Sequence, residues 1–251
     1  MQPLTRGNIR LAASIVLVRT GPAGPEVFMM KRPGGGDFPD LHVFPGGKLD
    51  EGDFTPELLQ GLDEARADTL LGVSAGGLRY WVAALRECFE ECGVLLAYRN
   101  GGLLRWADEG EVARFNHYRQ QLIDGSLSML EMCRREGLRL AADRVHYFSH
   151  WITPEPVPRR FDTRFFIAAM PDDQETIAHQ WEMVDDEWVR PADALAAAAE
   201  GRWRMISPTL TTLTSLSGFG EVDAMLEAVA AEAHVGELTE ELRRQGMHPL
   251  R

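Results

Sequence analysis

Runs of apolar residues interrupted by turn-forming residues predict several β-strands. Two apolar and β-branched runs, at residues 10–18 and 26–31, flank a stretch of glycines and prolines at 21–25, which predicts a hairpin-like pair of strands. Similar runs later in the chain predict three more strands, at residues 145–152, 164–170 and 187–189.

Apolar positions at helical spacing predict helices between these strands. Leucines at that spacing place one helix at residues 56–71, and a proline suited to a first helical turn begins another at 191–200. Ser126 occupies the N-cap position of a helix at 126–136. Further helices are predicted at residues 78–92, 107–123, 208–216 and 222–233, and a charged tail at 237–244 is expected to fray. This interleaving indicates an α/β fold with a mixed sheet between helical layers.

The length and the charge of the chain limit what it can do. At 251 residues the chain fits one domain, with residues from about 201 to 251 as a helical extension. Its 38 acidic and 26 basic residues give a net charge of −12. This sign opposes binding along a nucleic-acid backbone, so no nucleic-acid partner is expected. A polyphosphate substrate is compatible with it if bound metal and a few local arginines reverse the field at the site.

The cysteines and the apolar runs indicate the compartment. The three cysteines, Cys88, Cys92 and Cys133, form no disulfide framework, as expected of a reduced intracellular protein. No companion Cys or His cluster completes a zinc site around Cys88 and Cys92, so we interpret them as small buried hydrophobes. The run at residues 11–18 is too short to span a bilayer, and the end at 248–251 is not a peroxisomal targeting tripeptide. We therefore expect a cytoplasmic protein without a membrane partner, and leave a homodimer open.

Three glutamates within one helical turn carry the candidate chemistry. Glu87, Glu90 and Glu91 lie on the helix predicted at residues 78–92, where residues three and four apart share a face. Their mutual repulsion would destabilise an isolated helix, and a bound hard cation would offset it. A solvated acidic face is the alternative. Mg²⁺ or Mn²⁺ is the expected cofactor, because both prefer oxygen ligands and bridge substrate phosphates.

A glycine-rich turn before this helix completes a known pattern. With the helix, residues 44–53 resemble the Nudix box, G-x5-E-x7-R-E-U-x-E-E-x-G-U, in which U is usually aliphatic. The matching positions are Gly47, Arg86, Glu87, Glu90, Glu91, Gly93 and Val94. Asp53 replaces the first glutamate of the box, and Cys88 stands at its first aliphatic position. The stretch between Asp53 and Arg86 has 32 residues instead of seven, so the box carries an insert at 54–78.

The insert is similar to that of a Nudix subgroup that includes the peroxisomal coenzyme A diphosphatase of animals. Likeness to this subgroup extends over roughly residues 10 to 190, including Trp151-Ile152-Thr153-Pro154 and the run at 159–166. The resemblance implies a Nudix α/β/α sandwich with a mixed sheet, the insert inside the box and additional C-terminal helices. Residues 1–251 would then form a single Nudix domain. The insert is either an ordered cap or a flexible loop.

The resemblance also implies roles for particular residues. In the family the three helix glutamates bind metal, with Glu90 also catalytic, and a backbone carbonyl that maps to Gly46 adds a ligand. Arg86, which is counted with the catalytic residues, would pair with Asp53 and hold the loop against the helix; a surface arginine without this role is the alternative. Gly47 and Gly93 are structural positions of the box. A general base is often supplied by a later loop, for which Glu182 is the candidate, and its rivals are Asp185, Asp186 and Glu187.

The substrate implied by the resemblance is a small-molecule diphosphate. Coenzyme A or an acyl derivative is the first expectation, and Arg159, Arg160 and Phe161 could hold its 3′-phosphate and adenine. The alternative interpretation is that Phe161 is core and the arginines are solvated. Arg32, which leads into a glycine loop, is a further substrate-binding candidate. Alternative substrates are ADP-ribose, NADH or a nucleotide sugar, and a minor alternative is a non-catalytic ligand-binding or regulatory module.

Overall fold

The structure is a computed structural model that describes residues 4–34, 40–155, 157–176 and 185–231. Glu182, the charged tail at 237–244 and the last two residues of the helix expected at 222–233 lie outside the described residues.

The described residues form twelve strands and seven α-helices. The strands are β1 Thr5–Arg6, β2 Ile9–Gly21, β3 Gly24–Lys31, β4 His42–Val43, β5 Gly46–Lys48, β6 Leu59–Gln60, β7 Ala97–Arg99, β8 Gly102–Leu103, β9 Leu138–Ala141, β10 His146–Ile152, β11 Arg160–Ala169 and β12 Asp185–Val189. The helices are α1 Glu64–Leu71, α2 Leu78–Cys92, α3 Glu109–Ile123, α4 Met129–Glu136, α5 Pro191–Ala199, α6 Ser207–Leu216 and α7 Val222–Ala230. None of these helices has both the length and the apolarity that crossing a membrane requires.

An eight-stranded mixed sheet forms the centre of the molecule. Its main path runs β10-β11-β2-β3-β12, with β1 and β5 paired to β2 and β4 paired to β3. The contact between β11 and β2 is parallel, and the others in this sheet are antiparallel. The predicted hairpin is confirmed, since β2 and β3 pair up to Gly21 and Gly24.

Helices cover both faces of this sheet. Because side chains alternate along a strand, Ile15 and Leu17 of β2 belong to the core beneath α2, whereas Val16 and Val18 belong to the opposite core. The opposite core is completed by apolar residues of the C-terminal helices α5, α6 and α7. The predicted α/β/α sandwich with additional C-terminal helices is therefore confirmed.

A second, smaller sheet was not predicted from the sequence. It has the order β6-β9-β7-β8, and its first strand lies within the insert, where Leu59 pairs in parallel with Leu140. These strands have only two to four residues each. Such short segments carry too few residues to show an alternating pattern.

The insert is ordered, but the single helix predicted at residues 56–71 is wrong in its first half. A 3-10 turn at Pro56–Leu58 and strand β6 replace that half, and α1 begins only after Asp63, whose side chain accepts from the Arg66 N–H. Gly61 breaks the helical pattern, because its φ is +84° and a Cβ there would lie 2.5 Å from the Asp143 side chain. Leu58, Leu59, Ala67 and Leu71 are buried in the core with α2, so the insert is part of the fold.

Several predicted boundaries also move by a few residues, and two of these shifts have a clear cause. The N-cap of α4 is Ser128, whose side chain accepts from the Glu131 N–H, whereas Ser126 lies in the preceding turn. Strand β11 begins at Arg160, four residues before the predicted start, because pairing with Ile9 of β2 extends it. The first residues of β11 include polar ones, so the apolar pattern of the sequence did not predict that the strand begins there.

Candidate active site

Helix α2 has the boundaries that the sequence predicts, and it is buried on all sides except one. Gly93 ends it in the left-handed conformation, with φ of 75° and its N–H donating to the Phe89 carbonyl at 3.0 Å. Twelve of its fifteen residues are buried. The three that are half-exposed are Arg79, Glu87 and Glu90. Two of the predicted metal-binding carboxylates therefore lie on the one accessible stripe of this helix.

The expected pair between Arg86 and Asp53 forms, although 32 residues separate them. Arg86 Nε donates to Asp53 Oδ1 at 2.8 Å and Nη2 donates to Oδ2 at 3.0 Å, so the contact is bidentate. Nη2 also donates to the Lys48 carbonyl at 2.9 Å. Asp53 is 1% exposed and accepts the Asp50 N–H at 2.9 Å, which closes the short turn before the insert. One guanidinium thus holds the glycine-rich loop and the helix together.

The same guanidinium also contacts two of the glutamates. Arg86 Nη1 donates to Glu87 Oε1 at 2.8 Å and to Glu90 Oε2 at 3.0 Å. Burial opposes the charge of Arg86, but Glu87, Asp53 and Glu90 together raise its pKa well above the ordinary value. Burial is the main cause that raises the pKa of Glu90 to about 7; Arg86 offsets part of this effect, and Glu87 adds to it. The carboxylates of Asp53, Glu87 and Glu90 therefore carry more negative charge than the single guanidinium of Arg86 neutralises.

The glycine turn packs against the remaining carboxylates. Glu91 Oε2 accepts the Gly46 N–H at 2.7 Å. A Cβ at Gly46 would lie 2.5 Å from the Ala13 carbonyl oxygen, and a Cβ at Gly47 would overlap the Glu87 carboxylate. Gly46 requires glycine because strand β5 passes close to the backbone of β2, and a side chain at Gly47 would displace the Glu87 carboxylate.

The donor set fits a hard cation, although the side chains are not gathered around one point. Among the described residues, no three Asp, Glu, His or Cys side chains are grouped so that they could hold a metal. The reason is local: the Arg86 guanidinium lies between Glu87 and Glu90, and Glu91 is turned toward Gly46. Carboxylate oxygens are the ligands that Mg²⁺ and Mn²⁺ prefer. Besides burial, the negative charges of Glu87 and Asp53 raise the pKa of Glu90, and a bound cation would offset this repulsion.

The predicted substrate-binding arginines lie away from these carboxylates. Arg160 and Phe161 are within β11 rather than before it, and Arg160 is held by the Glu155 carboxylate at 2.8 Å. On strand β2, Arg160 pairs with Ile9, which lies five positions before Ser14, the partner of Gly46. At about 3.3 Å per residue this is roughly 16 Å along the sheet.

The other sequence candidates lie on or next to strands β3, β11 and β12. Arg32 directly follows β3, and Arg159 directly precedes β11. Asp185, Asp186 and Glu187, the rivals of Glu182 as general base, lie on β12, which pairs with β3.

Two contacts of α2 were not predicted from the sequence. Arg119 of α3 is buried, and its Nε donates at 2.9 Å to the Glu90 carbonyl near the end of α2, where a positive charge is favourable. No feature of the sequence indicated that α3 would contact this end of α2. The second contact joins Arg79 to Phe54, with the guanidinium carbon 5.5 Å from the ring centroid. The spacing of seven residues between Arg79 and Arg86 was visible in the sequence and indicates a shared helix face.

Comparisons with known proteins agree with this architecture. Putative nudix hydrolase 7 of Caenorhabditis elegans is 27% identical over 209 residues, which are 83% of this chain and 60% of that protein. Acyl-coenzyme A diphosphatase NUDT19 of Gallus gallus is 25% identical, over 72% of this chain and 62% of that protein. The chain therefore spans about three-fifths of the length of these relatives. A crystal structure of a Nudix hydrolase from Alicyclobacillus acidocaldarius superposes with a TM-score of 0.69 at 23% identity, covering 88% of this chain and 97% of that one.

The family profile described as NUDT19 Nudix domain matches residues 73–216, more than half of the chain, including α2 and its carboxylates. The chain belongs to this Nudix family.

Proposed function

We propose that the chain is a metal-dependent diphosphatase that hydrolyses a nucleoside diphosphate linked to another group, with coenzyme A or acyl-coenzyme A as the substrate. The products would be 3′,5′-ADP and phosphopantetheine or its acyl derivative. The names of the vertebrate relatives, acyl-coenzyme A diphosphatases, support this substrate. As part of this proposal, the protein is cytoplasmic, acts on a small-molecule substrate and has no nucleic-acid partner.

One observation carries the proposal. The accessible stripe of α2 presents Glu87 and Glu90 beside a guanidinium that is already committed to four groups of the loop and helix. Arg86 therefore positions the site, and the side chains of Glu87 and Glu90 keep 12% and 15% of their surface exposed. An ion-paired surface helix would not need the two glycines that bring β5 against Glu87 and Glu91.

Mg²⁺ or Mn²⁺ would be held by Glu87, Glu90 and Glu91, with the Gly46 carbonyl as a further ligand. When bound, such an ion neutralises charge on the phosphoryl oxygens and lowers the pKa of a coordinated water. In the reaction, the water oxygen bonds to one phosphorus, the bridging P–O bond breaks, and a proton is released. Glu90 and Glu182 are the proposed groups that accept this proton.

The other Nudix substrates stay as alternatives under this proposal. ADP-ribose, NADH and nucleotide sugars contain the same diphosphate linkage and would use the same carboxylates. Arg32, Arg159, Arg160 and Phe161 stay as sequence-based candidates for contacting the substrate. A non-catalytic binding module is disfavoured, because all three helix glutamates of the box are present.

The test is a screen of these diphosphates with Mg²⁺ or Mn²⁺, with the products identified by mass. We expect coenzyme A to give 3′,5′-ADP, with activity lost on chelation and in Glu91→Gln, which keeps an acceptor for the Gly46 N–H but removes the charge. Glu131→Gln, on the exposed face of α4, is the matched control. Faster turnover of ADP-ribose or NADH would reassign the substrate, and full activity in Glu91→Gln would contradict the metal assignment.

A further inference from the structure

The accessible stripe of α2 continues beyond the carboxylates and ends at a cation. Arg79 is the third half-exposed residue of this helix, eight residues before Glu87. At about 1.5 Å per residue, the two positions are roughly 12 Å apart along the helix axis. Rotation by about 100° per residue keeps Arg79, Arg86 and Glu90 within one narrow face. An extended ligand with its diphosphate at Glu87 and Glu90 could follow this stripe and reach Arg79.

Arg79 is held in place but not neutralised. Its Nε donates to the Gly76 carbonyl at 2.7 Å. A Cβ at Gly76 would overlap the guanidinium, so the absent side chain provides the space in which Arg79 lies. In the part of the chain that the structure describes, no carboxylate is within ion-pairing distance of Arg79. In a protein with a net charge of −12, such an arginine beside an open stripe is suited to an anion that comes from outside.

An exposed aromatic ring accompanies this arginine. Phe54 is 58% exposed and lies 5.5 Å from the guanidinium carbon of Arg79. Its predecessor Asp53 is bound to Arg86, so two consecutive loop residues contact two arginines of the same helix face. An exposed phenyl ring offers a surface on which a base can stack, as aromatic side chains do in nucleotide-binding proteins.

We propose that Phe54 and Arg79 form the subsite for the 3′-phosphorylated adenosine end of the substrate, with the base against Phe54 and the 3′-phosphate on Arg79. This inference rests on the proposed diphosphatase function and makes that function more specific. We favour Phe54 and Arg79 over the β11 arginines as the site of the 3′-phosphate for two reasons. Arg160 is already paired with Glu155, and the β11 residues lie roughly 16 Å along the sheet from the glycine turn at 3.3 Å per residue.

The test compares coenzyme A with dephospho-coenzyme A in single variants. Arg79→Gln should raise the KM for coenzyme A about tenfold or more, with kcat little changed, because it removes a charge-assisted contact. It should leave the KM for dephospho-coenzyme A unchanged. Phe54→Leu should raise the KM for both compounds to a similar extent, because both carry adenine. Arg135→Gln, which removes an exposed arginine that pairs with Glu131, is the charge-matched control and should behave as the parent.

A second measurement separates this inference from the proposed function. Calorimetric titration with adenosine 3′,5′-bisphosphate should show binding to the parent protein and at least tenfold weaker binding to Arg79→Gln, whether or not any diphosphate is hydrolysed. A parent that binds the bisphosphate but hydrolyses none of the diphosphates would overturn the proposed function and leave the subsite standing. Equal KM and equal binding in Arg79→Gln and Arg135→Gln would overturn the subsite. The subsite would also be overturned if the KM values for coenzyme A and dephospho-coenzyme A became equal in the double variant Arg159→Gln/Arg160→Gln but not in Arg79→Gln. That result would locate the 3′-phosphate at β11.

Discussion

Replacing Asp53 by asparagine tests whether the buried pair with Arg86 holds the loop against the helix. Asp53 Oδ1 accepts Arg86 Nε, while Oδ2 accepts both Arg86 Nη2 and the Asp50 N–H. Asparagine keeps the shape but has only one acceptor oxygen. Whichever way the amide is oriented, its NH2 group faces a donor of the arginine.

The expected cost follows from these contacts. Loss of a charge-assisted hydrogen bond at a position that is 1% exposed should reduce the free energy of unfolding by about 1.5 to 3 kcal/mol. The cost should stay below the roughly 3 to 5 kcal/mol of a fully stranded buried charge, because Glu87 and Glu90 still pair with Arg86. Asp53→Glu should also destabilise the protein, by about 1 to 3 kcal/mol, because the packed site has little room for another methylene.

The assay is urea unfolding in metal-free buffer, followed by far-ultraviolet circular dichroism, for the parent, Asp53→Asn, Arg86→Met and the double variant. A double-mutant cycle isolates the interaction of the pair, and we expect a coupling of at least 1.5 kcal/mol, as for charged hydrogen bonds. A coupling below about 0.5 kcal/mol, the level expected for independent sites, would refute the idea that this pair joins loop and helix.

Three further predictions concern the same region and one ion pair outside it. Because burial raises the pKa of Glu90 from 4.5 to about 7, the contribution of Glu90 to the stability of the metal-free protein is fully present below pH 4.5 and is lost as the pH rises toward 7. In urea unfolding, the free energy of unfolding of the parent should therefore fall relative to that of Glu90→Gln over this pH range. Gly47→Ala should weaken Mn²⁺ binding in calorimetry at least tenfold, because its Cβ overlaps the Glu87 carboxylate, and parent-like affinity would contradict the close packing. Glu111 has a pKa lowered to about 2, mainly by Arg99, so its contribution is present above pH 4.5 and is lost as the pH falls toward 2. Glu111→Gln should therefore be less stable than the parent at pH 7 and equally stable near pH 2.

The sequence by itself determined the features that depend on local geometry. The helix at residues 78–92 was predicted with the boundaries that the structure shows, because its apolar spacing and its terminal Gly93 are both readable within a few residues. That Glu87 and Glu90 share a face follows from helical geometry alone. The pairing of Asp53 with Arg86 across 32 residues came from the resemblance to the Nudix box, since no local pattern links two such distant positions.

Only the tertiary structure decided what depends on contacts between distant segments. The insert has one strand of two residues, β6, which pairs with β9, so the path of the insert could not be predicted from its own periodicity. The position of Arg160 and Phe161 within β11 depends on pairing with β2, and this pairing places them away from the glycine turn. Arg119 and Phe54 contact α2 from other parts of the chain, and exposure singles out Arg79 as the third accessible residue of that helix. Side-chain burial and partner choice are properties of the packed molecule, and a linear sequence specifies them only through the complete fold.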